Sequence, residues 1–378
     1  MDGLRIGFAD GEVVRGVSFD LRAGEVLALV GESGAGKSLT ARALLGMLPR
    51  RAEVAGRVLL RGRPVTPADL GRRLAWIPQD AMSALSPVHR VEDQLAFAVR
   101  AVARVGRGDA LAVARRALAG VGLAPDAAAA FPHALSGGMR QRAVIAMALV
   151  NNPDLVVADE PTTALDPERQ ERVLALLRER CAVAGAALLL VSHDLAAVRR
   201  HADRVAVTYA GRIVELGPAE LVLGRPVAPY TRGLLASLPA AGLSADALPG
   251  DGLSADGLPT AGRGEGLPGD GPPGDELPGD RTSEGGTSGG GLPGDRTSEG
   301  GTSGGGLPWD GTSGGGLPRR PRLPVLAGAP PAPGAAGAGC AFAPRCPHAG
   351  DVCRRTEPAP RAVEGRSVAC HDPFGEAA

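Results

Sequence analysis

Aromatic residues, lysine and long apolar runs are all scarce in this chain of 378 residues. It contains two Trp, two Tyr and six Phe, and its 41 basic residues include a single lysine. Basic and acidic residues balance at 41 each, which gives no support to a nucleic-acid-binding protein. No stretch approaches the ~18 consecutive apolar residues of a transmembrane helix, so we expect none. The first ten residues have neither the basic region nor the apolar region of a secretory signal peptide, which argues against secretion.

Glycine and proline are by contrast abundant, at 56 and 33 residues, and they concentrate in one segment. Within 241–320 they supply 35 residues, and the unit LPGDRTSEGGTSGGG starts at Leu277 and again at Leu292. These repeats lack the apolar residues that a solenoid needs to bury a core, which favours a flexible linker. We therefore predict a globular region at 1–238, a linker at 239–320 and a small C-terminal segment at 321–378.

Short aliphatic runs alternate with longer helical stretches in the first region, which indicates an α/β fold. The runs are bounded by polar or turn residues, as expected of buried strands in a mostly parallel sheet, and lie at 26–30, 155–158 and 187–191. Helices are predicted at 38–48, 109–120, 138–150, 167–184 and 195–201.

The first predicted strand leads directly into a glycine-rich loop (the P-loop, residues 31–38). Its residues, together with Leu39 after it, are the candidate nucleotide-binding set: Gly31, Glu32, Ser33, Gly34, Ala35, Gly36, Lys37 and Ser38. This is GxxxxGK[ST] between a strand and a helix, where backbone N–H groups and the helix N-terminus cradle phosphates. We expect Lys37 to reach the β- and γ-phosphates of ATP and the Ser38 hydroxyl to bind Mg²⁺. The only lysine falls here because a compact ammonium fits this loop better than a guanidinium.

The strand at 155–158 ends in two carboxylates, Asp159 and Glu160. The first is expected near Mg²⁺, and the second can act as the general base for an attacking water. Such an acidic pair is common at strand ends and indicates little on its own. In a chain that also has a P-loop, it strongly indicates a site for Mg²⁺ and ATP hydrolysis.

A second anion-binding motif lies at 135–141, where Ser136, Gly137 and Gly138 open a predicted helix. A single nucleotide does not need two phosphate cradles from one chain. We therefore assign this motif to the nucleotide of a partner subunit.

With these motifs in order, the sequence resembles the ATP-binding cassette (ABC) ATPases. The run LSGGMRQR at 135–142 is similar to their signature motif. The resemblance implies that Gln79 senses the γ-phosphate and Mg²⁺, that Asp166 belongs to the D-loop, and that His193 is the switch histidine. It also implies that Phe8 stacks on adenine, with a role in the strand core as the alternative. For His193 the alternative is a core histidine.

A narrower resemblance covers nearly the whole chain. Segments similar to the dipeptide, oligopeptide and nickel importer branch lie at 30–40, 79–88, 131–138, 209–215, 229–235, 339–347 and 369–371. This implies an ATPase on the cytoplasmic face of the membrane that powers import of di- or oligopeptides. The implied partners are two membrane-spanning permease subunits, a second ABC ATPase that is a paralogue and, indirectly, an extracytoplasmic solute-binding protein, with no nucleic acid. Import of nickel or another small solute and a non-transport ABC ATPase are the alternatives.

The C-terminal segment holds four cysteines, Cys340, Cys346, Cys353 and Cys370, with the spacing C-x5-C-x6-C-x16-C. This spacing matches neither a paired zinc ribbon nor a ferredoxin. Some peptide-importer ATPases carry an iron–sulfur cluster in this tail, so the resemblance raises a [4Fe–4S] cluster as one option. Zinc and unmetallated thiols are the others. Because this segment follows a long linker from the nucleotide site, we expect any cluster in it to be structural.

Overall fold

A computed structural model describes residues 1–80, 83–163, 165–237, 326, 328–332 and 334–374. These residues belong to one unit formed by Met1–Ala245 and Arg322–Ala378, whereas the second unit, Asp246–Pro321, lies wholly outside the described residues. The predicted linker at 239–320 therefore lies outside them. No helix in the described ranges is both long and apolar enough to cross a membrane.

The secondary structure alternates along the chain as the sequence predicts. The strands are β1 (Asp2–Phe8), β2 (Gly11–Val17), β3 (Val26–Gly31), β4 (Glu53–Arg57), β5 (Leu59–Leu60), β6 (Arg63–Pro64), β7 (Leu74–Ile77), β8 (Leu155–Asp159), β9 (Ala187–Val191), β10 (Arg204–Tyr209), β11 (Arg212–Pro218), β12 (Arg361–Val363) and β13 (Arg366–Val368). The helices are α1 (Lys37–Leu44), α2 (Val91–Val102), α3 (Arg107–Gly120), α4 (Pro125–Ala128), α5 (Gly137–Leu149), α6 (Pro167–Ala184), α7 (Leu195–His201), α8 (Ala219–Gly224), α9 (Pro229–Ala236) and α10 (Asp351–Arg355).

The main sheet has eight strands in the order β12-β13-β11-β10-β3-β9-β8-β7. Strands β10, β3, β9, β8 and β7 run parallel, and β11, β13 and β12 extend one edge in antiparallel fashion. The α/β fold with a mostly parallel sheet is thus confirmed. Because β12 and β13 come from the C-terminal segment, that segment completes the edge of the sheet.

The two faces of the sheet are buried by different layers. Along β3, Val26, Ala28 and Val30 contribute to a core with apolar residues of α2, α3, α5, α6 and α7. The alternating Leu27 and Leu29 face a second core with α1 and a three-stranded sheet of order β2-β1-β4. This alternation with both faces buried is typical of strands in α/β proteins.

The predicted element boundaries hold within three residues except at the first helix. That helix ends at Leu44 rather than at the predicted 48. Gly46 follows with a left-handed φ of 66°, and the N–H of Met47 donates to the carbonyl of Arg42 at 2.9 Å. This is the glycine-terminated geometry that satisfies the last carbonyls of a helix.

Candidate nucleotide site

The P-loop holds its lysine in a buried, pre-formed position. Lys37 Nζ donates to the carbonyl oxygens of Gly31 and Glu32 at 2.9 and 3.0 Å. Burial lowers the pKa of Lys37, while the nearby carboxylates, with Glu160 the largest contributor, oppose this effect. At Gly31, whose φ is 148°, a Cβ atom would lie 2.1 Å from the carbonyl oxygen of Thr208, so only glycine fits. Ser33 and Gly34 at the loop tip are exposed.

Two hard oxygen donors meet beside this lysine. The Ser38 hydroxyl, in the first turn of α1, donates to Asp159 Oδ1 at the end of β8 at 3.0 Å. Asp159 is only 5% exposed, and burial raises the pKa of its carboxyl group. A hydroxyl and a buried carboxylate are oxygen donors suited to Mg²⁺. These residues therefore fit the cation that the P-loop implies.

Glu160 lies at the centre of a polar cluster. Its Oε2 atom accepts a hydrogen bond from Gln79 Nε2 at 3.2 Å and lies 3.3 Å from His193 Nδ1. The Thr163 hydroxyl also lies 3.3 Å from this oxygen. The structure thus brings together three residues predicted from separate segments of the sequence. His193 is exposed, which disfavours the core-histidine alternative.

The backbone at Glu160 is strained, with φ at 48° in a residue that is not glycine. Such conformations cost about 1 kcal/mol or more, and they concentrate at functional sites. The Glu160 N–H donates to the carbonyl of Val191 at 2.9 Å, which ties the ends of β8 and β9 together. A cavity of about 120 Å³ opens between Glu160, Thr163, His193 and their neighbours.

The signature segment caps a helix and faces open space. Ser136 is the N-cap of α5, and its hydroxyl accepts a bond from the N–H of Met139 at 3.3 Å. A Cβ atom added at Gly137 or Gly138 would meet no atom within 4 Å. The exposed N-terminus of α5 is therefore sterically accessible to an anion brought by another chain.

The D-loop residue has a local structural role in this chain. Asp166 is the N-cap of α6, where its carboxylate accepts a bond from the N–H of Arg169 at 3.0 Å. Phe8 is half-buried and packs partly against the second core, and the Arg51 guanidinium carbon lies 6.0 Å from its ring centre. Partial packing is compatible with the strand-core alternative, so adenine stacking by Phe8 stays a prediction.

The four cysteines of the C-terminal segment gather around one small cavity of about 30 Å³, together with His348 and His371. Burial raises the pKa of Cys340, Cys346 and Cys370, the last to about 11, so these thiols are protonated at neutral pH. Four thiols around one cavity have the ligand chemistry of a soft metal or iron–sulfur group. Among the described residues, however, no group of three or more His, Cys, Asp or Glu side chains is arranged to hold a metal ion.

Sequence reasoning missed the packing of this segment against the P-loop. Arg345 forms an ion pair with Glu32 of the P-loop. Tyr209 of β10, Tyr230 of α9 and Phe342 of the C-terminal segment pack together beside it. The segments 209–215, 229–235 and 339–347, which share one family resemblance, were the available signal.

A further missed contact joins the signature helix to the acidic strand end. Gln141 is buried on α5, and its amide donates to the carbonyl of Pro161 at 2.7 Å. In the sequence Gln141 lies between Arg140 and Arg142, so no local pattern marks it for burial or for this contact.

The fold and these motifs together are those of the nucleotide-binding subunits of ABC transporters. The ABC transporter family matches residues 14–163. The solved structure of CbiO1 from Clostridium perfringens, part of an ABC transporter complex, has the same fold, with a TM-score of 0.52 and 24% identity. That similarity covers 59% of this chain and 91% of the other.

The particular family follows from the rest of the chain. The oligopeptide/dipeptide transporter C-terminal region matches residues 214–263 and 317–353. The probable peptide ABC transporter ATP-binding protein y4tR of Sinorhizobium fredii is 44% identical over 235 residues, which cover 59% of this chain and 70% of that protein. The dipeptide transport ATP-binding protein DppD of Bacillus subtilis is 42% identical over 245 residues, covering 62% and 73%. The chain belongs to the oligopeptide/dipeptide family of ABC transporter ATP-binding proteins.

Some relatives are much longer than this chain. The oligopeptide transport ATP-binding protein OppD of Mycobacterium tuberculosis is 46% identical over 240 residues, which cover 60% of this chain. The chain spans about two fifths of the length of that protein, since the match covers 39% of it.

Proposed function

We propose that this chain binds and hydrolyses ATP to power peptide import through separate membrane permeases. The observation that carries this proposal is the convergence of Lys37, Ser38, Asp159 and Glu160 at the carboxyl ends of the parallel strands. In open α/β sheets this edge is where ligands bind.

The chemistry of hydrolysis would follow from these positions. Lys37 would exchange its two carbonyl acceptors for the β- and γ-phosphate oxygens. Ser38 and Asp159, with Gln79 nearby, would hold Mg²⁺, which supplies positive charge beside the transferred phosphoryl group. Glu160 would accept a proton from the attacking water, and His193 and Gln79 would keep its carboxylate oriented toward the γ-phosphate.

ATP would act as a switch between open and closed dimers. The exposed segment at 136–138 would bind the γ-phosphate held on the P-loop of a partner ATPase, which we propose is a paralogue. Because the complete site needs both subunits, ATP would favour the closed dimer through its differential affinity, and hydrolysis would reopen it.

The residues that follow Gln79 in the chain form an exposed apolar surface suited to a permease contact at the cytoplasmic face of the membrane. Val88 and Phe97 are large apolar residues with 72% and 52% exposure, and His89 packs edge-on against Phe97. Exposed apolar side chains of this kind mark interaction sites when they cluster. We propose that a cytoplasmic helix of each permease docks here and couples closure to transport.

Di- and oligopeptides are the solutes that the relatives' names favour, since these include dipeptide and oligopeptide transport proteins. A solute-binding protein outside the membrane would deliver them. Reconstitution of the chain with its permeases in liposomes tests this assignment. Peptide-dependent ATPase activity is the expected result, and stimulation by a nickel chelate instead would favour the alternative.

The Glu160→Gln variant tests the ATPase mechanism directly. The variant should bind ATP normally but lose at least about hundredfold in kcat, because a general base contributes 10²–10⁴-fold. Glu12→Gln is a matched control, since Glu12 pairs with Arg5 on β1 and lies in a separate sheet. Near-normal turnover in Glu160→Gln would contradict the assignment.

We further propose that the four cysteines of the C-terminal segment bind an iron–sulfur cluster. Their side chains would have to move to do so, since no three of the described ligand-type side chains are arranged to hold a metal ion. The support is their convergence on one cavity, which His348 and His371 also line. Iron, sulfide and zinc should be measured on chain purified without oxygen. About four iron atoms per chain with broad visible absorption are expected, and one zinc or no metal would contradict the cluster.

A further inference from the structure

A side chain from the C-terminal segment binds the P-loop directly. Arg345 Nη1 and Nη2 donate to Glu32 Oε2 and Oε1 at 2.8 and 2.9 Å. The side chains are only 6% and 22% exposed. Two parallel bonds of this kind fix the orientation of a carboxylate as well as its position, unlike most exposed ion pairs. The contact joins residues 313 positions apart in the sequence.

An aromatic group holds the guanidinium in place. Its central carbon lies 5.6 Å from the ring centre of Tyr209 and 5.8 Å from that of Phe342, within cation–π range. Nη1 also donates to the Tyr209 hydroxyl at 3.2 Å. Tyr230 packs against both other rings, at 4.5 and 5.3 Å between centres. Arg345 therefore has a defined orientation before any ligand binds.

Glu32 connects this arginine to the phosphate-binding lysine. Its backbone N–H donates to the Tyr230 hydroxyl at 3.1 Å, and its carbonyl accepts the bond from Lys37 Nζ at 3.0 Å. The charge of the Glu32 carboxylate also raises the pKa of Lys37, although burial has the larger effect and lowers it. An unpaired Glu32 carboxylate would repel the negatively charged triphosphate of ATP. The ion pair of Glu32 with Arg345 has no net charge, so this repulsion is removed.

We propose that Arg345 is a positioning residue for the nucleotide site. It neutralises and orients Glu32, and through this contact the C-terminal segment increases the affinity of the P-loop for ATP. The inference rests on the proposed ATP-binding function and adds to it the residue through which the C-terminal segment acts.

Four variants of the full chain test this role. Arg345→Met removes the charge at similar length, Arg345→Lys keeps one charge without the paired geometry, and Arg345→Met with Glu32→Gln removes both charges. The control is Arg354→Met, since Arg354 pairs with Asp351 on the exposed helix α10, where these side chains are 68% and 82% exposed. Binding of a fluorescent ATP analogue gives Kd, steady-state ATPase assays give KM and kcat, and thermal unfolding checks the fold.

Arg345→Met should raise Kd and KM about tenfold, the scale of one charge interaction near a protein surface. Its kcat should stay within about twofold, because Glu160, Gln79 and His193 are unchanged and a positioning effect on binding appears in KM. Arg345→Lys should be intermediate. The double variant should recover most of the lost affinity, since it carries no unpaired carboxylate, and Arg354→Met should match the unsubstituted chain.

Two results would overturn the inference while leaving the proposed function intact. One is an Arg345→Met variant that binds within twofold of the unsubstituted chain. The other is a double variant that binds no better than Arg345→Met, which would mean that Arg345 only holds the fold together. An unsubstituted chain that fails to bind the analogue would overturn the proposed function, and the inference with it.

Discussion

Replacing Arg366 by methionine should destabilise the folded chain by about 4 kcal/mol, within the usual cost of breaking a buried ion pair. Arg366 on β13 pairs with Glu215 on β11, and both side chains are fully buried. Methionine fills a similar volume, but Glu215 would keep only its two backbone N–H donors. The carbonyl groups of Leu221 and Arg225 would also lose their charged donor, now at 2.8 and 2.6 Å. The uncompensated carboxylate dominates the loss.

Thermal unfolding of the full chain measures this effect. For a unit of this size about 1 kcal/mol shifts the midpoint by about 2 °C, so the expected fall is about 8 °C. Adding Glu215→Gln should recover part of it, because that change removes the buried charge. Arg22→Met is the control, since Arg22 lies 3.9 Å from Asp20 in an exposed pair. A fall below about 2 °C in Arg366→Met, equal to the control, would refute the reasoning.

Substitutions at the nucleotide site separate stability from function. Ser136→Asp keeps the side-chain cap of α5, so the unfolding midpoint should change little, but the added charge should abolish ATP-dependent dimers seen by light scattering in a hydrolysis-deficient background. Gly31→Ala should cost several kcal/mol or prevent folding, because its Cβ would lie 2.1 Å from a carbonyl oxygen. Gly108→Ala in α3, where a Cβ meets nothing within 4 Å, should instead stabilise the chain by up to about 1 kcal/mol. Asp159→Asn should raise the midpoint at neutral pH, because burial raises the pKa of Asp159.

The pH dependence at Asp159 has a definite sign. A pKa above the ordinary value of 3.8 means that the folded chain binds this proton more tightly than the unfolded chain does. The stability from this group is therefore full below pH 3.8 and is lost as the pH rises through the folded-state pKa. The gain in Asp159→Asn should be largest at neutral pH and should vanish toward pH 3.8. A gain that does not depend on pH would contradict this account.

The other site predictions have equally direct tests. ATP-dependent dimers that persist in Ser136→Asp would contradict the assignment of this motif to a partner's nucleotide. A Gly31→Ala chain as stable as Gly108→Ala would contradict the steric role of Gly31.

Part of the candidate nucleotide site could be predicted because some of its residues directly follow a strongly patterned element. Glu160 and His193 come directly after apolar runs that form β8 and β9. Parallel strands place their carboxyl ends at one edge of the sheet, so residues after neighbouring strands are expected to converge. The 3.3 Å approach of His193 to Glu160 agrees with that expectation.

The contacts of the C-terminal segment could not be predicted in this way. Strands β12 and β13 have three residues each, too few for a hydrophobic period to be recognised. The pair of Arg345 and Glu32 spans 313 positions, and no local pattern encodes a contact over that distance. Its chemistry depends on Tyr209 and Tyr230, the only tyrosines in the chain, which local patterns treat as ordinary apolar residues.

One short turn, Ala343–Arg345, connects the cysteines to the P-loop, because its last residue forms the ion pair with Glu32. Cys346 directly follows Arg345, and within the turn that carries the arginine the N–H groups of Ala343 and Cys346 donate to the carbonyls of Cys340 and Ala343 at 2.9 and 3.3 Å. A group bound by these cysteines would therefore restrain the side chain that orients Glu32. Linkage requires the effect to be reciprocal, so any group that raises ATP affinity in this way is itself held more tightly when ATP is bound. The dissociation constant of that group, with and without ATP, measures the coupling without any turnover.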